Sequence, residues 1–145
     1  MKAIKIAQVP PPSVQVTDTV KRAIPIMGND EGCGIAVLDG DRLVGTISKE
    51  DVMLRVVAEG LDPAATGVRE VMTSPPRKTI LPDTDADEAL KLMFANKQCY
   101  LPIVDEASRL RGWISICHLF RNHVDDLKNE IESLASYMAA DGPGG

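Results

Sequence analysis

The chain has 145 residues, a net charge of -5 and 26% charged content. The acidic balance argues against a nucleic-acid-binding protein, which usually needs a basic surface. No apolar run approaches the roughly 18–20 residues that span a bilayer, so no membrane partner is expected. With aromatics at only 3%, the core must be packed by Val, Ile, Leu, Met and Ala.

The opening Met1-Lys2-Ala3-Ile4-Lys5-Ile6 is too short in its apolar part for a signal peptide, and the expectation is a cytoplasmic protein. Pro10-Pro11-Pro12 reads as an extended lead-in. Ser13-Val14-Gln15-Val16 alternates and predicts a short strand. Thr17 or Asp18 is placed to cap the next helix, with Val20, Ala23, Ile24 and Met27 on its buried face. Pro25 falls inside it and predicts a kink or an early end. Gly28-Asn29-Asp30-Glu31-Gly32 is a loop by composition. Gly34 to Leu38 is a strand, Asp39-Gly40-Asp41 a hairpin turn, and Arg42 to Ile47 the returning strand. A helix then starts at Ser48 and ends near Gly60. Leu61 to Gly67 links the halves, and Val68 to Met72 docks as a short helical turn.

The second half replays the first at an offset of about 66 residues. Thr79-Ile80 takes the place of Ser13-Val14. The helix Asp85 to Asn96 places Ala89, Leu90 and Met93 where Ala23, Ile24 and Met27 stood. Tyr100 to Val104 matches the strand from Gly34, and Leu110 to Ile114 the strand from Leu43, with one extra residue in the turn. The pattern predicts a duplicated strand-helix-strand-strand-helix unit of about 60 residues, too small to be stable alone, so the copies share a core. The boundaries expected are 10–66 and 67–123, then a C-terminal helix over 124–140 continuing from the second repeat, and a flexible tail over 141–145. In that helix Phe120, Val124, Leu127, Ile131, Leu134 and Met138 alternate four and three apart, a heptad seam that either packs on its own module or pairs with another chain.

Cys33, Cys99 and Cys117 match no zinc spacing, and buried or half-buried free thiols are expected. No nucleophile–base pair, convergent carboxylates or metal cluster is visible, so no enzyme and no required cofactor are expected. Cys117 and His118 are neighbours that point apart on a helix.

Gly45-Thr46-Ile47-Ser48-Lys49-Glu50-Asp51 recurs in part as Gly112-Trp113-Ile114-Ser115-Ile116-Cys117-His118. Ser-x-x-Asp before an apolar helix is a capping box, in which Ser48 and Asp51 satisfy each other's backbone. Ser115 would cap alone, because His118 is a poor reciprocal acceptor. The same geometry suits a nucleotide. The helix N-terminus favours phosphate, Gly45 allows close approach to the backbone, Ser48 can donate to phosphate, and Asp51 can accept from ribose hydroxyls.

The duplicated unit, Gly-x-x-Ser-x-x-Asp, the segment Val68-Arg69-Glu70-Val71-Met72-Thr73 and Leu101-Pro102-Ile103-Val104-Asp105 together resemble a CBS-domain pair, from about Ser13 to Asp125. The closing helix also resembles the tail of small stand-alone bacterial members. The resemblance implies an α/β (α+β) fold of two repeats related by a pseudo-twofold axis. It further implies regulation by an adenosyl ligand, among AMP, ADP, ATP, S-adenosylmethionine and NAD, acting through a homodimer on an unidentified partner. Site one would comprise Ser13, Val14, Ile35, Ser48, Lys49 and Asp51. Site two would comprise Thr79, Ile80 and Ser115. There His118 replaces the ribose-binding acid, and Cys99-Tyr100 stands where relatives often carry Arg-His, so the second site is expected to be degenerate. Arg77 and Lys78 supply charge beside Thr79 or form a solvated basic edge. The alternative is a dimerisation module that binds no ligand, with Ser48 and Asp51 serving only as a cap.

Overall fold

The structure, a computed structural model, describes residues 1–29 and 33–140. The predicted loop residues Asp30 to Gly32 and the predicted tail from Asp141 lie outside the described residues. In chain order the elements are β1 (Ser13–Gln15), α1 (Val20–Gly28), β2 (Gly34–Asp39), β3 (Arg42–Ser48) and α2 (Lys49–Val52), which runs on as a π-helical turn over Met53–Val57. Then come α3 (Val68–Val71), α4 (Ala86–Asn96), β4 (Tyr100–Val104), β5 (Leu110–Ser115) and α5 (Ile116–Ala140). A 3-10 turn, Ala3–Lys5, precedes them.

β1 lies parallel to β2, and β2 pairs antiparallel with β3, in the order β1-β2-β3. The second repeat has the same layout. β4 and β5 form the hairpin, and Ile80 makes a single parallel bridge to Ile103 where β1 stood in the first repeat. Both hairpin turns need a left-handed residue, Gly40 (φ 69°) in one and Ser108 (φ 64°) in the other.

Each repeat has its own aliphatic core. Val14, Val20, Ala23, Met27, Ile35 and Ile47 pack in the first, and Ile80, Ala89, Met93, Leu101, Ile103 and Ile114 in the second. Each such buried Val, Ile, Leu or Met contributes about 1.5–3 kcal/mol. Leu43 and Ala36 of the first repeat meet Tyr100 and Trp113 of the second in a shared cluster, where the two rings stack at 4.5 Å.

The segment before each repeat completes the other one. Val68 and Val71 of α3 are buried in the first core, and Ala3 in the second. The hydrogen bonds match pair for pair. Val20 N donates to Thr66 O and Ala86 N to Met1 O; Val68 N donates to Asp18 O and Ala3 N to Thr84 O. Thr73 exchanges both backbone bonds with Thr46, and Gln8 does the same with Trp113. A cis peptide bond follows in each lead-in, at Val9–Pro10 and Ser74–Pro75.

Three local expectations are corrected. The cap of α1 is Thr19, whose hydroxyl accepts from Arg22 N at 3.3 Å. Asp18 is already engaged, accepting from Gln15 N at 2.8 Å. Cys33 and Cys99 are not free thiols but form a disulfide with a Cα–Cα distance of 6.6 Å, and only Cys117 is free. They are brought together because both stand immediately before the first hairpin strand of their repeat, at equivalent places in the pair. Gly45 approaches chain rather than ligand, since a Cβ there would lie 2.8 Å from Thr73 O and 2.9 Å from Met72 Sδ. Pro25 does not end α1, which continues through it to Gly28.

Candidate functional site

Ser48 leaves β3 in extended conformation and caps α2. Its Oγ accepts from Asp51 N at 3.1 Å, and Asp51 Oδ2 accepts from Ser48 N at 2.9 Å. The predicted capping box is therefore present. The box itself takes one of the roughly four acceptor positions of the Asp51 carboxylate. Thr73 Oγ1 lies 3.3 Å from Oδ1 and 3.4 Å from Oδ2. Arg55, one turn along, reaches Oδ1 at 3.8 Å with Nε. The Arg55 guanidinium also donates to Val71 O and Met72 O, each at 3.1 Å, satisfying carbonyls at the C-terminus of α3. The Asp51 side chain is left 12% exposed, held by Ser48 and Arg55 of the first repeat and by Thr73 of the lead-in to the second.

That exposed edge faces a cavity of about 520 Å³. Ser48, Lys49, Glu50 and Asp51 line it from the first repeat. Thr73 and Arg77 close it from the lead-in to the second repeat, Lys97 and Gln98 from the turn after α4 and Tyr100 from β4, and the disulfide borders it. Gln98 is buried, and its side-chain amide both donates to Lys78 O at 3.0 Å and accepts from Lys78 N at 3.1 Å, which fixes the lead-in segment that carries Arg77. The Arg77 guanidinium donates to Asn96 O. Lys97, in left-handed conformation at φ 50°, ends α4 at the rim. Tyr100 donates its hydroxyl to Thr46 Oγ1 at 3.1 Å. Burial above all, with the Asp51 charge adding to it, pushes its pKa above the ordinary 10.0, so it is a neutral wall at physiological pH.

The predicted residues divide by location. Ser48, Lys49 and Asp51 converge on the cavity. Ser13 is in register with Ala36 in β1, and Val14 and Ile35 are buried in the first core; none of the three lines the cavity. Thr79 lines a smaller cavity with Pro76, Arg77 and Ser108. Ile80 and Ser115 are buried. The expectation that Ser115 caps alone is corrected, because His118 does act as the reciprocal acceptor. Its Nδ1 accepts from Ser115 N at 3.1 Å while Ser115 Oγ accepts from His118 N at 3.2 Å, a reciprocal box in which an imidazole nitrogen replaces the carboxylate. The sequence does not point to Thr73, Lys97 and Gln98 as cavity residues. The usable signal was the repeat itself, because the lead-in to repeat two had to lie against β3 of repeat one.

Among the described residues no cluster of His, Cys, Asp and Glu could hold a metal ion, and no helix is long and apolar enough to cross a membrane.

Comparison with known proteins agrees with this architecture. The CBS domain family matches residues 3–58 and 68–125. The CBS domain-containing protein CBSCBSPB1 of Arabidopsis thaliana is 35% identical over 107 residues, covering 73% of this chain and 19% of that protein. The chain thus spans about a fifth of that relative. Among solved structures, a CBS-domain protein of Burkholderia ambifaria MC40-6 superposes with a TM-score of 0.74 at 28% identity, covering 87% of this chain and 96% of the other. A CBS domain protein from Pyrobaculum aerophilum, solved in complex with AMP, superposes with a TM-score of 0.70 at 21% identity, covering 81% and 89%. By the two matched segments and the duplicated fold, this chain belongs to the CBS-domain family and carries two such domains as a pair.

Proposed function

We propose that the chain is a regulatory module whose site one binds an adenosyl nucleotide of the AMP, ADP or ATP class. The observation that carries this is the Asp51 carboxylate, fixed by Ser48 and Thr73 at the edge of a 520 Å³ cavity with acceptor capacity to spare. The volume falls within the usual range for small-molecule sites. Lys49, Arg77 and Lys97 around the same cavity outnumber Glu50 and Asp51, which favours a phosphate-bearing ligand over the cationic sulfonium of S-adenosylmethionine. The AMP complex of the Pyrobaculum relative supports the ligand class. Capping and ligand binding are compatible roles for Ser48 and Asp51, because the box uses only part of the carboxylate.

The module acts as a homodimer on a partner protein. The support is the seam on α5, whose residues 125–139 are exposed throughout. Phe120, Ile131 and Met138 are 68%, 66% and 70% exposed. The same seam favours the alternative, an interaction module without a ligand, and one experiment separates the two. Thermal unfolding is followed with AMP, ADP, ATP, S-adenosylmethionine and NAD, for wild type, Asp51→Ala and Asp51→Asn. The asparagine keeps an oxygen for Ser48 N, so it separates loss of the cap from loss of the charge. A ligand at about 100 times its Kd adds roughly 2.7 kcal/mol, which raises the midpoint by on the order of 5–10 °C. The expected result is a shift with the phosphate-bearing ligands that is lost in both variants. No shift with any of the five favours the interaction module.

A further inference from the structure

We infer that the Cys33–Cys99 bond is a reversible thiol latch across the nucleotide cavity, which couples the oxidation state of the pair to ligand affinity. The inference rests on the site reading above and extends it to regulation. The two cysteines lie 66 residues apart, the offset of the duplication itself, so the bond joins equivalent points of the two repeats. Both line the cavity beside Ser48 and Asp51. Each is also tied to the start of a motif helix through its carbonyl. Cys33 O accepts from Lys49 N at 3.1 Å, and Cys99 O accepts from Ile116 N at 2.8 Å. Oxidation therefore pins the two helix N-termini, and with them Asp51 and its opposing wall, in one arrangement. Reduction frees the repeats to separate at that edge. Both cysteines are half-buried and line the cavity, which is the route to the bond for a small thiol and which a ligand filling the cavity would close.

The chemistry is thiol–disulfide exchange with a low-molecular-weight thiol of the glutathione class. A thiolate attacks one sulfur, forms a mixed disulfide and expels the other cysteine as a thiolate, which takes up a proton. A second thiol attacks the mixed disulfide, releases the small-molecule disulfide and leaves the second cysteine as a thiol. Two small thiols supply the two electrons and the two protons. Oxidation runs the same steps backwards with the small-molecule disulfide as oxidant.

The pinned form presents the cavity already organised and binds more tightly, because less ordering is left to the ligand. Linkage requires the reciprocal effect: bound nucleotide must make the bond harder to reduce by the same factor.

The test uses the full chain with Cys117→Ser, which removes the one free thiol. The protein is equilibrated in glutathione buffers of graded ratio, quenched with N-ethylmaleimide and weighed intact; the oxidised form adds no label and the reduced form adds two. AMP and ATP are then titrated calorimetrically into fully oxidised and fully reduced protein, and into Cys33→Ser/Cys99→Ser. The expected result is about fivefold or greater tightening on oxidation. The double variant should show the reduced-form affinity in both buffers, and saturating nucleotide should shift half-reduction towards more reducing ratios. Binding with affinities equal within about twofold in the two states overturns the latch and leaves the nucleotide site standing. Failure of the bond to form in glutathione disulfide also overturns it. Absence of binding in every state overturns the nucleotide-site reading, and the coupling with it.

Discussion

Asp51 Oδ2 accepts from Ser48 N at 2.9 Å, Thr73 reaches both carboxylate oxygens, and Arg55 stands 3.8 Å from Oδ1. Among the described residues Oδ1 thus has only long contacts, which leaves it able to accept from a ligand. Gly45 is as closely constrained as Asp51, but by backbone. The lead-in carbonyl of Thr73 would sit 2.8 Å from any Cβ at that position, and Thr46 exchanges two hydrogen bonds with Thr73 beside it. Gly45→Ala is expected to cost about 1–3 kcal/mol, the usual range for overpacking where the neighbour is main chain. Equilibrium urea unfolding reads this directly, and a change within about 0.3 kcal/mol would show that the lead-in yields freely. Asp105 carries an acid response of its own. It accepts from Arg109 N at 3.0 Å and Ala107 N at 2.9 Å, and pairs with Arg109 Nε at 3.1 Å. The backbone bond from Arg109, above all, holds its pKa below the ordinary 3.8. The folded state therefore binds this proton more weakly than the unfolded chain does. The stability it contributes is complete above the ordinary value and is lost as pH falls through the depressed one. Asp105→Asn should flatten the acid limb of thermal unfolding below about pH 4 while leaving its neutral region unchanged in slope.

At the scale of elements, α2 and α5 start with the same device built from different chemistry. Ser48 with Asp51 and Ser115 with His118 both close reciprocal boxes, at distances between 2.9 and 3.2 Å. The helices then diverge. α2 passes into a π-helical turn, and Gly60 in left-handed conformation at φ 69° follows it. α5 runs for 25 residues, about 37 Å. Only its first turns are anchored, with Leu119 buried in the second core. A projecting helix of this length, with Leu127, Ile131, Leu134 and Met138 exposed along one seam, is marginal without a partner surface. Ending the chain before Asp125 is expected to weaken self-association by at least about tenfold, which corresponds to roughly 1.4 kcal/mol, in sedimentation equilibrium. An equally tight dimer from the shortened chain would remove the seam from the interface.

At the scale of the whole molecule, the two repeats are held by exchange of their lead-in segments, by the shared Leu43, Tyr100 and Trp113 cluster, and by the disulfide. The disulfide closes a loop of 66 residues. Restricting the unfolded chain over that span contributes about 4 kcal/mol in the loop-entropy picture. Reduction should lower the urea unfolding free energy by an amount of that order, and Cys33→Ser/Cys99→Ser should match the reduced wild type. Equal stability of oxidised and reduced protein would mean that the reduced chain keeps the two cysteines together in its unfolded ensemble.

The sequence by itself determined what depends on near neighbours. Strand alternation, the Asp39-Gly40-Asp41 turn, the Ser48–Asp51 box and the repeat offset are written in contacts of two to four residues or in plain self-similarity. The CBS pair followed from their order. Tertiary structure decided what lies across the repeats. It set Thr73 against Asp51, turned Gly45 towards main chain, gave His118 an acceptor role, and brought Cys33 to Cys99. It also put Val14 and Ile35 in the core and built much of the cavity wall from the second repeat. Hydrophobic periodicity shows which face of an element is buried but not which distant segment covers it. That choice was made by the packing of two small cores, each completed by the segment that precedes the other.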